Sequence, residues 1–445
     1  MTEVLAYTAG VLIVVVVLAA SIGLHEIGHM VPAKKFGVRV TQWMVGFGPT
    51  LWSRRVGETE YGIKGIPLGG YIRMIGMFPP APGDAPGTVR ESSTGAFQNL
   101  AEDARRVSAA EMRPGDENRV FYKLSVPKKV VVMLGGPTMN LVIGFVLLGI
   151  MIVGIGLPAA TTTVAEVSEC VVAASSEQTE CGADDPAAPA NEAGVLPGDR
   201  IVSFGGQPTP EWDDVRSAIR ANAGTSTAIV VEREGEQLTL EVTPLLTQRP
   251  VLDDENQPVL REDETFVTEE VGFLGVAPTA EMRPEPLTAV PGFVAEQTWR
   301  TAGVVVNLPQ RMVEVADAAF GNAERDPNGV IGVVGVGRLA GEISSLPQFT
   351  AQDRVASMLG LLGGLNIALF VFNLIPLMPL DGGHVAGALW EGGRRQVAKV
   401  RGRVDPGPVD IARLMPLTYA IAILLIGMSA LLLYADIVRP ISLRG

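Results

Sequence analysis

Histidine and cysteine are scarce in this chain, and its beginning lacks positive charge. The 445 residues include three His and two Cys. Two cysteines permit at most one intramolecular bridge, so a disulfide-rich scaffold is excluded. No Lys or Arg precedes Lys34. Because a secretory signal peptide begins with a basic region, this absence argues against a cleaved signal at the N-terminus.

The chain is acidic overall and yet apolar on average, with a formal net charge of −13 and a mean hydropathy of +0.29. Soluble acidic proteins seldom combine these two values, so the apolar residues must be concentrated in blocks. A helix that crosses a bilayer needs about 20 apolar residues. Four blocks satisfy this requirement, at residues 5–24, 130–157, 355–377 and 414–438. The sequence therefore predicts an α-helical multi-pass membrane protein with four transmembrane helices.

Positive charge is distributed unevenly between the segments that connect these blocks. Lys and Arg are frequent between the first and second blocks and between the third and fourth. The segment 158–353 contains no Lys and is strongly acidic. Because cytoplasmic loops carry an excess of Lys and Arg, we expect the basic connections in the cytoplasm. The acidic segment and the N-terminus are then expected outside.

Both cysteines, Cys170 and Cys181, lie in the segment that is expected outside. Disulfides persist in such oxidising surroundings. Spacing alone does not establish pairing, so a possible disulfide and two free thiols both remain open.

Two of the three histidines occur in His25-Glu26-Ile27-Gly28-His29, at the end of the first block. Residues at i and i+4 project from one face of a helix, so both imidazoles can bind one metal ion. Bound Zn²⁺ makes its water acidic near neutral pH, and Glu26 can accept that proton and pass it to a leaving amine. Because Gly28 has no side chain, it is expected to let a substrate backbone approach the helix between the two histidines. The alternative, a pair of buried structural histidines, is disfavoured because ionisable groups inside a span are costly.

A third ligand is expected from the end of the third block, since a catalytic zinc site takes three protein ligands and keeps one open position. This region supplies the carboxylate of Asp381, which is the favoured ligand, and the imidazole of His384, which is a rival. Prolines break the helix here, and irregular backbone is tolerated at membrane depth where it lines a cavity. Asn373 can hydrogen-bond a substrate peptide or a developing oxyanion.

Three motifs follow one another in order along the apolar blocks: His25-Glu26-x-x-His29, Gly136-Pro137-Thr138-Met139-Asn140 and Asn373-x-x-Pro376-x-x-Pro379-Leu380-Asp381-Gly382. Their order and placement resemble the site-2 protease family (peptidase M50), and its bacterial branch that cleaves anti-sigma factors is the best match. The resemblance covers essentially the whole chain. It implies one catalytic Zn²⁺ held by His25, His29 and Asp381, with Glu26 as the catalytic carboxylate. It also implies a substrate contact for Asn373 and a position near the active site for Asn140.

Residues 36–77 contain glycine turns and alternating apolar positions, so short β-hairpins are predicted there. In the family that the motifs resemble, the equivalent segment looks like a β-structured loop that dips into the membrane beside the active site. Gly69 and Gly70 are candidate substrate-binding residues, because an exposed strand edge can hold a substrate in extended form. A plain cytoplasmic hairpin is the alternative.

The run Ala193-Gly194-Val195-Leu196-Pro197-Gly198-Asp199 resembles the core signature of a PDZ domain of the protease-associated type. We assign an extracytoplasmic PDZ-like α+β domain to residues 160–246. An acidic insert between Val167 and Asn191 carries both cysteines and precedes the signature. Such domains usually bind peptides at a strand edge. Because the insert could obstruct that groove, a role as a size filter for bulky ectodomains is equally open.

The other assignments follow from charge, apolar spacing and proline content. The run 330–337 is too short to span a membrane and is predicted to be a surface turn. The assigned segments are a first transmembrane helix (1–35), a membrane-associated β-hairpin region (36–77), a cytoplasmic linker with a surface helix (78–129), a second transmembrane helix (130–157), an acidic linker (247–285), extracytoplasmic amphipathic helices (286–350), a third transmembrane helix (354–384), a basic cytoplasmic loop (385–413) and a fourth transmembrane helix (414–438).

These features predict a site-2-type zinc metalloendopeptidase in the cytoplasmic membrane, with its active site toward the cytoplasm. The resemblance implies single-span substrates, such as anti-sigma factors or remnant signal peptides, which an upstream site-1-type protease first trims. Membrane lipid is the other expected partner, and nucleic acid is not expected. A silent scaffold and a metal-dependent transporter are the alternatives, and the complete metal motif with Glu26 argues against them. The ligand types also fit Fe²⁺ or Mn²⁺.

Overall fold

The chain divides into two compact units. The computed structural model describes residues 2–80, 105–106, 108, 110–172, 181–182, 185–251, 267–321, 323–327 and 329–443. The first unit, called the membrane unit, comprises Met1–Ile155 and Glu285–Gly445, and the second, called the sheet unit, comprises Gly156–Pro284.

Long helices dominate the membrane unit, and short strands dominate the sheet unit. In chain order the helices are α1 (Thr2–Lys35), α2 (Val126–Gly154), α3 (Pro189–Glu192), α4 (Trp212–Ala221), α5 (Val290–Val306), α6 (Leu308–Phe320), α7 (Val333–Ser345), α8 (Ala351–Asn373), α9 (Asp381–Val400) and α10 (Met415–Val438). The strands are β1 (Val40–Val56), β2 (Thr59–Met74), β3 (Leu157–Val167), β4 (Arg200–Phe204), β5 (Gln207–Pro208), β6 (Thr227–Arg233), β7 (Glu236–Val242), β8 (Leu245–Pro250), β9 (Thr268–Phe273) and β10 (Val276–Arg283).

Four helical segments are long and apolar enough to cross a membrane. They are Thr2–Lys35, Val126–Gly154, Ala351–Asn373 and Ile411–Val438. The prediction of four apolar spans is thus confirmed by length and composition. The third of these segments, α8, ends at Asn373, and a turn region separates it from α9. This agrees with the predicted break at the prolines.

Glycines let the spans approach one another closely. A Cβ at Gly144 of α2 would lie 2.8 Å from Ile367 of α8, and a Cβ at Gly363 of α8 would lie 2.7 Å from Leu148 of α2. Small residues at helix crossings allow two membrane helices to gain van der Waals contact along their backbones. The glycines therefore fix α8 against α2.

A two-stranded antiparallel ribbon, β1–β2, occupies the segment that was predicted as β-hairpins. Its pairing runs from Val40 opposite Met74 to Val56 opposite Thr59, with several shifts of register. The distal half carries exposed apolar side chains, including Leu51, which is 70% exposed, and Trp52, which is 56% exposed. Of the segment 78–129, which was predicted as a linker with a surface helix, residues 81–104, 107 and 109 lie outside the described residues.

Helix α9 differs from the prediction of a basic loop over 385–413. The chain is helical from Asp381 to Val400. This helix was hidden from the sequence because its glycine pairs lower helix propensity and its charges interrupt the apolar pattern. Packing against α2 stabilises the helix despite its weak propensity. A Cβ at Gly392 would lie 3.2 Å from Val126 of α2, and Glu391 forms a buried ion pair with Lys129 of α2.

Helix α7 differs from the surface turn that was predicted over 330–337. It packs on α1, where Gly341 lies against the ring of Tyr7. Its first turn is held by Asp436 of α10, which accepts the backbone N–H of Gly335 at 2.8 Å. A carboxylate at a helix N-terminus satisfies amides that have no partner within the helix. These tertiary contacts, which the local sequence does not reveal, produce the helix.

The sheet unit contains one main sheet with the strand order β10-β3-β4-β6-β7, in which β5 also pairs with β4. Strands β8 and β9 form a separate antiparallel ribbon. A buried apolar cluster fills the unit, with Ile201, Phe204, Val215, Ile229 and Leu274 at its centre. Val215 comes from α4, so this helix covers one face of the sheet.

The sheet unit extends beyond the assigned boundary at residue 246. Strand β10 pairs with β3 from Val276 opposite Val167 to Arg283 opposite Leu157. The segment 247–285, predicted as an acidic linker, therefore supplies three strands, although residues 252–266 lie outside the described residues. Strand β10 was hidden from the sequence because its partner, β3, lies more than one hundred positions earlier in the chain. Strands β8 and β9 pair with each other, and the acidic stretch between them hid that ribbon.

Cys170 and Cys181 are joined by a disulfide, with their Cα atoms 5.9 Å apart. The bridge closes a loop of the acidic insert just after β3. Of this insert, residues 173–180 and 183–184 lie outside the described part of the chain. The bonded pair is the alternative that the sequence left open beside two free thiols.

Candidate metal centre

Helix α1 brings the two histidines of its last turns to one point. Nε2 of His25 lies 3.2 Å from Nε2 of His29, and the two rings meet at 79°. The spacing of four residues places both side chains on one face of the helix. Two facing imidazole nitrogens need either a shared proton or a cation that both lone pairs bind.

Asp381 supplies a third ligand atom to the same point. Its Oδ2 lies 3.3 Å from Nε2 of His25 and 3.3 Å from Nε2 of His29. As the first residue of α9, it follows the turn region that breaks the third span. Across the described residues, these three side chains form the one group of at least three His, Cys, Asp or Glu whose ligand atoms converge, all within 4.8 Å.

The backbone of α2 orients one of the two imidazoles. Nδ1 of His29 lies 2.8 Å from the carbonyl oxygen of Val132. Since a carbonyl can only accept, Nδ1 carries the proton and Nε2 keeps its lone pair toward Asp381. A hydrogen bond of this kind is the usual outer partner of a metal-binding histidine. Two imidazoles and one carboxylate are also a donor set that zinc prefers, so these residues fit the ion.

Two glycines of α2 make room for the histidines. A Cβ at Gly136 would lie 2.7 Å from Nε2 of His25 and would also overlap His29. At the neighbouring turn, a Cβ at Gly28 would lie 2.7 Å from the carbonyl carbon of Gly135. Gly28 was expected to open the helix surface to a substrate backbone. The backbone that approaches it in the structure is that of α2.

Glu26 lies between α1 and the ribbon. It is 8% exposed, and the backbone N–H of Ile72 in β2 donates a hydrogen bond to its carboxylate. A Cβ at Gly70 would lie 3.1 Å from Cγ of Glu26. Strand β2 therefore passes directly beside this carboxylate, and Gly70 permits the close approach.

The remaining predicted residues lie outside the converging group. His384, the rival ligand, is one helical turn beyond Asp381, and its buried Nδ1 has no hydrogen-bond partner among the described residues. Asn140 is 1% exposed, with its Oδ1 also unpartnered in that part of the chain. Asn373 is the last residue of α8 and is half-buried. Gly69 has a φ of +90° and faces the ring of Phe47.

Sequence reasoning missed the polar contact that joins α9 to α2. Nζ of Lys129 lies 2.9 and 2.7 Å from the two carboxylate oxygens of Glu391. Arg395 and the backbone N–H of Val409 also donate to Glu391, each at 3.0 Å. The available signal was a lysine at the start of a span and a glutamate on a segment that was taken for a loop.

The sequence matches the model of peptidase family M50 over residues 13–404. It is 32% identical to the zinc metalloprotease Rip1 of Mycobacterium tuberculosis H37Rv over 450 residues, which covers 98% of this chain and 99% of the relative. It is 34% identical to the zinc metalloprotease Rip1 of Mycolicibacterium smegmatis, with 98% of each chain covered. The metalloprotease MmpA of Caulobacter vibrioides is 26% identical over 84% of each chain. This chain belongs to peptidase family M50, the site-2 proteases, and is a zinc metalloprotease.

Proposed function

We propose that this protein hydrolyses peptide bonds within or near the transmembrane segments of single-span membrane proteins, with His25, His29 and Asp381 as its zinc ligands. The observation that carries the proposal is the convergence of these three ligand atoms at the end of an apolar helix, with Glu26 on the same helix. Ionisable groups in such a helix are costly, so their presence there usually marks a functional site.

The two histidines and Asp381 hold the zinc ion, which when bound polarises the scissile carbonyl and acidifies a water molecule. Glu26 accepts the proton of the attacking water and then delivers it to the leaving amine. Its burial between α1 and β2 keeps bulk water away from this proton. Asn373 and Asn140, which lie at the end of α8 and inside α2, are proposed to hold the substrate backbone.

Strand β2 is proposed to bind the substrate in extended form. A helix hides its peptide bonds in internal hydrogen bonds, so a protease needs an unwound segment. An exposed strand edge supplies replacement hydrogen bonds by β-addition. Gly69 and Gly70 lie on the strand that passes beside Glu26, so a segment bound there would run next to the proton acceptor.

Single-span proteins such as anti-sigma factors, or remnant signal peptides, are the proposed substrates, after another protease has trimmed their outer part. The charge asymmetry of the loops supports an orientation with the active site toward the cytoplasm and the sheet unit outside. We also propose that the sheet unit is a PDZ-like domain, either as a size filter or as a peptide-binding module. A groove of about 300 Å³ beside α4 and β9, lined by Trp212, Arg216 and Phe273, supports the second role.

The test is cleavage of a model single-span substrate, trimmed outside the membrane, by the purified full chain in detergent. Wild type is compared with Glu26→Gln, and the zinc content of both is measured. We expect the wild type to cut and the zinc-loaded variant to lose at least about 100-fold in rate, the usual contribution of general acid–base catalysis. Equal cleavage by both proteins would refute the role of Glu26. Stoichiometric zinc without cleavage in either would favour a scaffold.

A further inference from the structure

The second half of α9 carries an exposed face that the metal centre does not use. Trp390, Arg394, Val397 and Arg401 follow one another at spacings of four, three and four residues, which places them on one side of the helix. Trp390 is 66% exposed and Val397 is 50% exposed. This face combines an aromatic ring, apolar side chains and guanidinium groups.

After α9 the chain folds back along the same face. Gly402 has a φ of +62°, a conformation that glycine adopts without strain. The backbone N–H of Arg403 then donates to the carbonyl of Ala398 at 2.8 Å, and Arg394 donates to the carbonyl of Pro406 at 3.1 Å. The returning chain and the helix line an open cavity of about 470 Å³, with Val404, which is 91% exposed, at its rim.

Within the part of the chain that the structure describes, no acidic side chain lines this cavity. The nearby acidic groups are Glu391 and Asp405, and both lie within 3.5 Å of Arg395. Glu391 is further neutralised by Lys129. Among the described residues, the guanidinium groups of Arg401 and Arg403 form no ion pair. Arg401 and Arg403 therefore line one cavity without an acidic partner in the described part of the chain.

Connectivity puts helix α9 at one face of the membrane. Helix α9 lies in the connection between the span that ends at Asn373 and the span that begins at Ile411. Consecutive spans cross the membrane in opposite directions, so these two ends meet at the same membrane face. Exposed tryptophan is favoured at that depth, and a helix with basic and apolar residues on one face lies in the headgroup region.

We propose that this cavity, called the α9 lipid site, binds an anionic phospholipid. Its phosphate diester lies between the guanidinium groups of Arg401 and Arg403, and Arg394, which lines the same cavity, adds a third charge. Its acyl chains lie along Trp390, Val397 and Val404. A small soluble anion would have no use for these apolar side chains, which is why the occupant is a lipid. Because α9 begins at Asp381, the lipid binds the same helix that carries the third proposed metal ligand.

The test uses the full chain in lipid nanodiscs and the fluorescence of Trp390. Brominated lipids quench a tryptophan that they touch, and subtraction of the matched Trp390→Phe variant isolates the signal of Trp390. Brominated phosphatidylglycerol is compared with brominated phosphatidylcholine at equal mole fraction. We expect stronger quenching by the anionic lipid, because each arginine near an anionic surface raises local lipid binding by about fivefold.

Arg401→Gln/Arg403→Gln is expected to reduce the preference for the anionic lipid by about tenfold or more, and Arg401→Lys/Arg403→Lys to retain most of it. The matched control Arg200→Gln/Arg216→Gln removes the same charge from exposed positions of the sheet unit and should leave the preference unchanged. Equal quenching by both lipids would overturn the proposal. So would an unchanged preference in the Gln variant, or displacement of the lipid by millimolar inorganic phosphate, which would identify a site for free anions.

Discussion

Replacing Glu391 by Gln should lower both the folding stability and the zinc affinity, although Glu391 contacts none of the proposed zinc ligands. Glu391 is 2% exposed and Lys129 is 5% exposed. The variant leaves the Lys129 ammonium buried without its counter-charge. Breaking a buried pair by neutralising one partner costs about 3–5 kcal/mol of folding free energy. The exposed pair Glu58–Arg119, whose side chains are about 40% exposed, is the matched control, and Glu58→Gln should cost at most about 1 kcal/mol.

The effect should reach zinc binding because α2 contacts both sides of the centre. It holds His29 through the carbonyl of Val132 at 2.8 Å, and it holds α9, which begins at Asp381, through Lys129 and Glu391. Loss of a group that hydrogen-bonds a metal ligand directly lowers metal affinity about 10–100-fold. Glu391 acts through helix α9 instead, so we expect a drop of at most about 10-fold in Glu391→Gln, measured by competition with a chelator, together with a lower thermal midpoint.

A double variant separates positioning from bulk stability. Lys129→Met/Glu391→Met removes both charges, and apolar replacement of a buried pair is often neutral in stability. It should therefore recover the thermal midpoint, whereas its zinc affinity should recover only partly, because the four hydrogen-bonding contacts of Glu391 are gone. Unchanged zinc affinity in Glu391→Gln at an unchanged midpoint would refute the reasoning.

Two further predictions concern the helix crossing and the sheet unit. Gly136→Ala should lower zinc affinity more than Gly154→Ala, a change in the same helix where a Cβ meets no atom within 4 Å; equal chelator titrations of the two variants would contradict this. In the sheet unit, burial raises the pKa of Asp199, but hydrogen bonds from Arg233 and from the N–H of Leu196 outweigh burial and hold that pKa below its usual value. The stability from this contact is therefore present above the unfolded pKa, about 3.9, and is lost as pH falls through the lower folded pKa. Thermal unfolding of the full chain, followed by the part of its tryptophan fluorescence that is lost in Trp212→Phe, should show a wild type that is more stable than Asp199→Asn at pH 7 and a difference that shrinks below about pH 4.

The histidine pair could be predicted because its geometry is local. A spacing of four residues within an apolar helix determines that His25 and His29 share a face. The break before Asp381 was equally visible in the prolines. By contrast, the carbonyl of Val132 and the space left by Gly136 belong to a different helix. No spacing within a sequence states which backbone atom of one helix meets an imidazole of another.

Helix α9 and strand β10 escaped prediction for a related reason. Each has a weak local pattern and a strong partner far away in the chain. Glu391 of α9 forms an ion pair with Lys129 of α2, and Val276 of β10 pairs with Val167 of β3. Tertiary contacts override propensity in such segments.

The main-chain contact between Gly28 and Gly135 has a consequence for how this sequence can vary. The two backbones meet without side chains between them, so the position of the histidine pair depends on main-chain atoms alone at this crossing. Lipid-facing positions of α1, such as Leu12 and Val16, which are 57% and 64% exposed, can exchange among apolar residues without moving the pair. A single methyl group at either glycine would separate the helices. Substitutions are therefore tolerated on the exposed side of α1 but not on the side that contacts α2. The two sides of this helix can change in sequence at very different rates.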